Sequence, residues 1–318
     1  MFAARGLAVS FSIAVVLYSA LSLVVCGVWR SVWIYGQRYP ARRGADLLFT
    51  LRVMPFVLAS GVTLALAVPS FLLLEPRAVD EPLGFLPVVL GVCGMAAVLA
   101  GLWNSAAALL RASQTVALWS NGAHGVSASS SDSVPVLRVS AAALPLTATG
   151  ILRPRVWLSE AAELVLTERE LQSALRHEVV HVRRRDNLRK LILRVVAFPG
   201  MAELESVWRE ATEMAADDAA VSSASEALDL AAAVIKLSRL APLKPAAELT
   251  TALVHSPAES INERVERLVA WTERQPSPAL GYSLRYVVCG AIAVVATLTF
   301  TYSELLVRAH EATEWLVR

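Results

Sequence analysis

The chain has 318 residues, a net charge of +2 and a hydrophobic fraction of 56%, with a mean hydropathy of +0.54. That hydropathy excludes an ordinary soluble globule and points to membrane spans. The near-neutral balance, carried almost wholly by Arg (lysine is confined to Lys190, Lys236 and Lys244), excludes a strongly basic nucleic-acid-binding surface. Cys26, Cys93 and Cys289 lie in apolar runs, which predicts buried thiols rather than disulfides or metal ligands.

In chain order, Leu7 to Trp29 is an uncharged apolar run long enough to cross the hydrocarbon core, which needs about 20 residues. It has one Arg before it and no clean small-x-small site after it, so it reads as a retained span rather than a signal peptide. Arg30 to Arg52 reads as a polar loop carrying Arg30, Arg38, Arg42, Arg43 and Arg52. Spans are expected at 53–74 and 83–110, joined by the acidic loop from Glu75 to Pro82. The five-Arg loop belongs in the cytoplasm by the positive-inside rule, which puts the N-terminus outside and everything after Arg111 inside.

From Arg111 to about Tyr282 the polarity is mixed, as in a water-facing domain (111–282). Asn121 to Ser133 reads as loop. Val134 to Val139 and Val156 to Leu158 read as strands, with turns at Thr147–Gly150 and Pro154. Ser159 can cap a short helix. Thr167-x-x-Glu170 is a capping box that starts a longer one. Leu188 to Met201 reads as a core helix, Glu203 to Leu240 as mainly helical, Pro242 to Pro257 as irregular, and Ser260 to Trp271 as an amphipathic helix. A fourth span at 284–302 within the segment 283–318 returns the chain to the outside, with a tail too short for a folded sensor domain. The fold class expected is a mainly α membrane protein: four transmembrane helices, with an α+β zincin-like domain between the third and the fourth.

Inside the Thr167-capped helix lies Arg176-His177-Glu178-Val179-Val180-His181. Residues i and i+4 share a helix face, so His177 and His181 direct two imidazoles at one point, with Glu178 beside them as a base. Such a site needs a third protein ligand. About thirty residues on, Glu213 and Asp217 form an i,i+4 pair in a helical segment. Glu213 is the expected ligand, with Glu210 one turn earlier as its rival. Asp217 is expected to accept an N–H from a ligand histidine and fix its tautomer. His255 and Arg209 are candidates for stabilising an oxyanion, while His124 and His310 read as incidental.

These residues, with Gly150–Leu158, the run from His177 to Asp186, Phe198-Pro199 and Arg264, make the chain resemble the membrane-integral zinc metallopeptidases typified by the bacterial beta-lactam sensor-transducer (antirepressor) proteins. It is more distantly similar to the CAAX-prenyl-protease and heat-shock-protease group. The expected departure is the absence of the C-terminal penicillin-binding sensor domain. The resemblance implies one Zn2+ ion held by His177, His181 and Glu213, with Glu178 moving the proton during peptide hydrolysis. It implies a regulatory endopeptidase of the bacterial inner membrane, with its catalytic domain in the cytoplasm and both termini outside. Its substrate would be a cytoplasmic DNA-binding repressor or the chain itself, with a separate sensor protein as a partner and no nucleic-acid contact of its own. Housekeeping proteolysis of membrane proteins and a non-catalytic zinc scaffold are the alternatives. The stretch before Gly150 and the strand through Val156 are expected to offer an edge to an extended substrate, with an ordinary interior strand as the alternative.

Overall fold

The computed structural model describes residues 2–75, 84–120, 123–126, 134–140, 145–240, 250–252, 258–271 and 301–312. The fourth span lies almost wholly outside these residues, as do Cys289 and His255. The chain divides into two compact units: Met1–Gly27, Val53–Ala100 and Arg274–Arg318 form one, and Val28–Arg52 with Gly101–Glu273 form the other.

Among the described residues, three helical stretches are long and apolar enough to cross a membrane: Phe2–Gly36, Ala41–Leu74 and Phe85–Ser120. The first is α1 (Phe2–Gly36). The second comprises α2 (Ala41–Val62), a π-helical turn at Thr63–Ala67, and α3 (Val68–Leu74). The third is α4 (Phe85–Ser120). Each exceeds by about 15 residues the ~20 that the hydrocarbon core needs. The stretch read as a polar loop is therefore helix at both ends, with a short turn at Gln37–Pro40 between them. The third helix also runs ten residues beyond Leu110.

The first unit is held by close helix contacts. A Cβ on Gly91 or Gly94 would lie 2.7 Å from the Ala8 or Phe11 carbonyl of α1, so α1 and α4 approach at backbone distance, as small residues permit inside a bilayer. Ser12 Oγ donates to the Pro87 carbonyl at 2.6 Å. Pro69 has no N–H to offer the carbonyl four residues earlier, and that oxygen, on Ala65 in the π turn, accepts the Tyr302 hydroxyl at 2.8 Å. Arg5 pairs with Glu75 at 3.0 Å, and His310 lies 4.0 Å from the same carboxylate, so the residue read as incidental belongs to a charged cluster. Cys93 is exposed and Cys26 half-buried, which corrects the expectation of buried thiols: the apolar faces that carry them are turned outward.

The second unit contains a five-stranded sheet in the order β1-β2-β4-β3-β5: β1 (Ala123–Val126), β2 (Val136–Val139), β3 (Leu146–Thr149), β4 (Arg155–Ser159) and β5 (Thr250–Ala252). β2 and β4 are parallel and every other pair is antiparallel. The sequence predicts a turn at Thr147–Gly150 and a loop over 123–126, but Leu146–Thr149 and Ala123–Val126 are strands. Leu146, Ala148, Val156 and Leu158 face a core built with Ala174, Leu230, Val234, Leu237 and Leu268. On the opposite face Trp157 packs edge-on to Trp119 of α4, with ring centroids 5.7 Å apart. β4 is an interior strand, so the expectation that the strand through Val156 forms a free edge is overturned: β2 and β3 occupy its two sides, and β5 pairs with the far side of β3.

Five further helices complete the site region: α5 (Glu160–Val165), α6 (Glu168–Arg184), α7 (Asp186–Val195), α8 (Ala202–Ala220) and α9 (Ala224–Leu240); α10 (Ala258–Val269) follows β5. Ser159 caps α5 by accepting from the Ala162 N–H. α6 begins on the capping box, with Thr167 Oγ1 accepting from Glu170 N and Glu170 Oε2 accepting from Thr167 N. The helical ends of α1 and α2 are tied to this unit by charge: Arg30 pairs with Glu203, Arg52 with Glu205 at 2.9 Å, and Asp46 with Arg189 at 2.6 Å. Phe49 stacks on Trp208 of α8 with centroids 6.1 Å apart.

Candidate metal centre

α6 buries the face that carries His177, Glu178 and His181, and each is essentially inaccessible to solvent. One turn separates the two histidines, and their Nε2 atoms lie 3.1 Å apart. α8 supplies Glu213, whose carboxylate oxygens sit 3.5 Å from each Nε2. The three ligand atoms lie within 4.8 Å of one another.

The other nitrogen of each imidazole faces a carboxylate. His181 Nδ1 is 2.7 Å from Asp186 Oδ2. His177 Nδ1 is 2.9 Å from Asp217 Oδ1, a pair that is close rather than well aligned. A carboxylate at Nδ1 holds the N–H there and leaves the lone pair on Nε2. Two lone pairs and a carboxylate then confront one another in a buried space, an arrangement that repels itself unless a cation lies among them. This donor set fits a divalent metal: two imidazole nitrogens and one carboxylate are the protein ligands of a catalytic H-E-x-x-H centre.

The titration behaviour expresses the same demand for a cation. Burial opposes a charge on His181, but Glu213 and Asp186 outweigh it and push its pKa up to about 10. Burial likewise opposes a charge on His177, and Asp217 and Glu213 overcome it, so its pKa is also raised. Glu213 lies well below the usual carboxylate range because His181 and Arg264 more than offset its burial. A metal must displace the protons from both imidazoles. Apparent metal affinity should therefore rise with pH up to about 10, about tenfold per unit for the proton that leaves His181, and more steeply where His177 also carries one. Competition against a chromophoric chelator at several pH values measures this, and a pH-independent affinity would contradict the assignment.

Asp186 reaches His181 because the chain reverses between α6 and α7. Arg185 adopts a left-handed conformation (φ 56°, ψ 40°), the one non-glycine residue with positive φ among the described residues. Its N–H closes α6 on the His181 and Val182 carbonyls, and the next residue returns beside the imidazole. Left-handed backbone costs about 1–2 kcal/mol for an L-residue, a local strain placed one residue from a group that orients a ligand. Asp186→Asn should keep an acceptor at Nδ1 but lose its charge. Such second-layer changes lower metal affinity about 10–100-fold, readable by the same chelator competition.

Glu178 stands beside the histidines but points its carboxylate at the sheet, where Oε2 accepts the Ala148 N–H of β3 at 3.0 Å. Burial pushes its carboxyl up to about 7, against the pull of His181 and His177. A base with that pKa is half-ionised near neutral pH, the range in which a proton can be both taken and returned. Arg264 of α10 completes the cluster, with Nε and one terminal nitrogen donating to the Asp217 carboxylate at 2.8 Å each and the other lying 3.1 Å from Glu213 Oε2. Lys190, one turn after Asp186, shares the field of Glu213, Asp186 and Glu178, and burial lowers its pKa.

The structure thus brings together His177, Glu178, His181, Glu213 and Asp217. It leaves out Glu210, which is half-buried on α8 and whose carboxyl is raised by burial and by Glu263. Arg209 is exposed. The contacts of Asp186, Arg264 and the Ala148 amide were not read from the sequence. Asp186 and Arg264 were visible only as parts of the resembling motifs.

A helix-borne His-Glu-x-x-His with a carboxylate from a second helix, in a chain with long apolar helices, defines a membrane-associated protein of the metallopeptidase class. Residues 87–268, more than half of the chain, match the family described as BlaR1 peptidase M56, and the chain belongs to that family. No curated protein matches it.

Proposed function

We propose that the protein is a membrane-bound zinc endopeptidase. The observation that carries this reading is the convergence of two imidazole Nε2 atoms and the Glu213 carboxylate next to a buried Glu178. His177, His181 and Glu213 hold the zinc, which supplies Lewis-acid polarisation of the scissile carbonyl and lowers the pKa of water. Asp217 and Asp186 orient the two imidazoles. Glu178 takes the proton of the attacking water and returns it to the leaving amine. Arg264 holds Asp217 and Glu213 in place.

Family membership supports a substrate class for this reading: a cytoplasmic DNA-binding repressor, or the chain itself, cut in response to a signal from a partner sensor. The chain makes no nucleic-acid contact of its own. The proposed location is the bacterial inner membrane, with the second unit in the cytoplasm and both termini outside. The Arg-rich stretch Arg30–Arg52 supports this orientation, because the rule counts Arg whether or not acids pair with it. The parallel course of residues 301–312 beside α3, with Tyr302 at Ala65 and His310 at Glu75, supports a last helix that ends on the same side as Glu75.

The test is N-terminal peptide mapping of membranes that hold the purified protein, stripped with chelator and then reloaded with zinc. Cleavage products that vanish on stripping and return with zinc are expected. No product in the loaded state would overturn the reading.

A further inference from the structure

α7 turns its polar side inward. Asp186 and Asn187 are buried, Asp186 lies 2.7 Å from His181, and Lys190 shares the field of Glu213 and Glu178. At about 100° per residue these three fall on one side of the helix. Leu188, Leu191, Ile192 and Val195 fall on the other, spaced i, i+3, i+4 and i+7, and each is only half-buried. A helix in a water-soluble unit buries such a stripe against its core. Here the polar groups point into the protein and the apolar stripe is left on the outside. The chain that follows carries no charge from Val195 to Ala202. Val196 and Met201 are buried and fix the turn between them, while Ala197, Pro199 and Gly200 are exposed.

Three contacts set the level of this apolar surface along the long helices. A Cβ on Gly101 would overlap the Val195 carbonyl, with the carbonyl carbon 3.2 Å away, so the end of α7 touches α4 at backbone distance. Gly101 lies inside the stretch from Phe85 to Leu110 that carries no charge. Arg30, the first charge after the apolar run of α1, pairs with Glu203. Arg52, the last charge before the apolar run at 53–74, holds Glu205 at 2.9 Å. Such arginines mark where a span meets water, so α8 begins at that boundary and Val195 lies on its hydrocarbon side. We propose that α7 is a membrane seat: Leu191, Ile192, Val195 and the turn at 197–200 rest on the acyl chains just below the headgroups of this leaflet. An apolar helix face seated in this way enters the headgroup–acyl boundary by about 5–10 Å. The backbone is tied down there, as that depth demands, with Val196 N–H donating to the Ile192 carbonyl at 3.1 Å and Met201 N–H to the Phe198 carbonyl at 3.4 Å. α7 has 10 residues and is about 15 Å long. The helix that brings Asp186 to His181 thus stands on the bilayer, and the metal centre lies within one length of α7 from hydrocarbon. This goes beyond the peptidase reading and does not depend on it.

The first experiment uses the wild-type full-length protein in vesicles of phosphatidylethanolamine and phosphatidylglycerol that carry a diazirine on the acyl chain. After irradiation and trypsin, adducts are expected on residues 195–201 of the peptide Val195–Arg209, as on Leu7–Trp29 of α1. Adducts on α1 with residues 195–201 clean would overturn the proposal. The second experiment works in a Cys26→Ala, Cys93→Ala, Cys289→Ala background and places a nitroxide at Ala197→Cys. Val24→Cys, on the exposed face of α1, is the lipid reference, and Ser225→Cys, exposed at the start of α9, is the water reference. Oxygen collects in hydrocarbon and a nickel chelate stays in water. The ratio of the two collision rates at position 197 should match that at 24 and exceed that at 225 by about tenfold. A ratio equal to that at 225 means that water covers the turn, and a label reached by neither collider is covered by protein. Either result overturns the seat. The photolabelling needs no variant, so it decides the matter even where a labelled chain fails to fold, and neither measurement involves cleavage.

Discussion

Glu178→Gln should keep its metal and lose cleavage by about 10²–10⁴-fold, the usual contribution of a positioned proton-transfer group. Gln is nearly isosteric, and its side-chain oxygen can still accept the Ala148 N–H that now goes to Glu178 Oε2. The proposed ligands His177, His181 and Glu213 are untouched. What is lost is a group able to take a proton near neutral pH. The same substitution has a second readout in the metal-free protein. The Glu178 carboxyl is raised to about 7 from an ordinary 4.5. Its contribution to stability is thus full below pH 4.5 and is lost as pH rises through about 7. That loss is on the order of 3 kcal/mol. The Gln variant cannot ionise, so its metal-free melting temperature should exceed that of wild type increasingly between about pH 5 and 8. Activity would be measured on one peptide substrate and metal content by elemental analysis. Wild-type turnover with full metal would remove Glu178 from the mechanism.

The residues that mark the centre were legible because they obey local rules. His177, Glu178 and His181 are set by helix spacing, Thr167 and Glu170 form a capping box readable over four residues, and Glu213 and Asp217 repeat the i,i+4 pattern. Asp186 was not legible in its role. Its contact with His181 depends on a left-handed Arg185, and arginine carries no sequence signal for that conformation. Arg264 reaches Asp217 across 47 residues of sequence, a contact that no local pattern encodes.

Arg30–Arg52 looked like a loop because charge normally marks the end of an apolar helix. Here the helices continue, and Arg30, Asp46 and Arg52 pair with Glu203, Arg189 and Glu205. Thr147–Gly150 reads as a turn because it ends at a turn-forming Gly150. The four residues before that glycine pair with β4 instead, the last three also pair with β5, and one of their amides holds the proposed base. The site is therefore carried by helix patterns that one segment can encode, while its orientation is carried by tertiary contacts that no single segment contains.

Arg264→Ala tests the largest of those contacts. The guanidinium is buried and satisfies Asp217 with two hydrogen bonds while lying 3.1 Å from Glu213. Removing it strips Asp217 and Glu213 of the guanidinium they share, and breaking a buried pair from one side costs about 3–5 kcal/mol. Denaturant titration of the metal-free protein, followed through the tryptophans, should report a loss of that size. Arg264→Lys keeps the charge but not the fork that grips Asp217 on both oxygens, so it should fall between wild type and Ala. Asp217→Asn on top of Arg264→Ala removes one of the stranded charges and should recover part of the loss, because the penalty lies in the uncompensated carboxylate rather than in the missing arginine contacts. Zinc should narrow the gap between wild type and Arg264→Ala, since a cation held by Glu213 replaces part of the lost positive charge. Should Arg264→Ala unfold at the wild-type denaturant concentration without metal, the bidentate pair does not fasten α10 to α8, and the alignment of Asp217 with His177 must come from α8 alone.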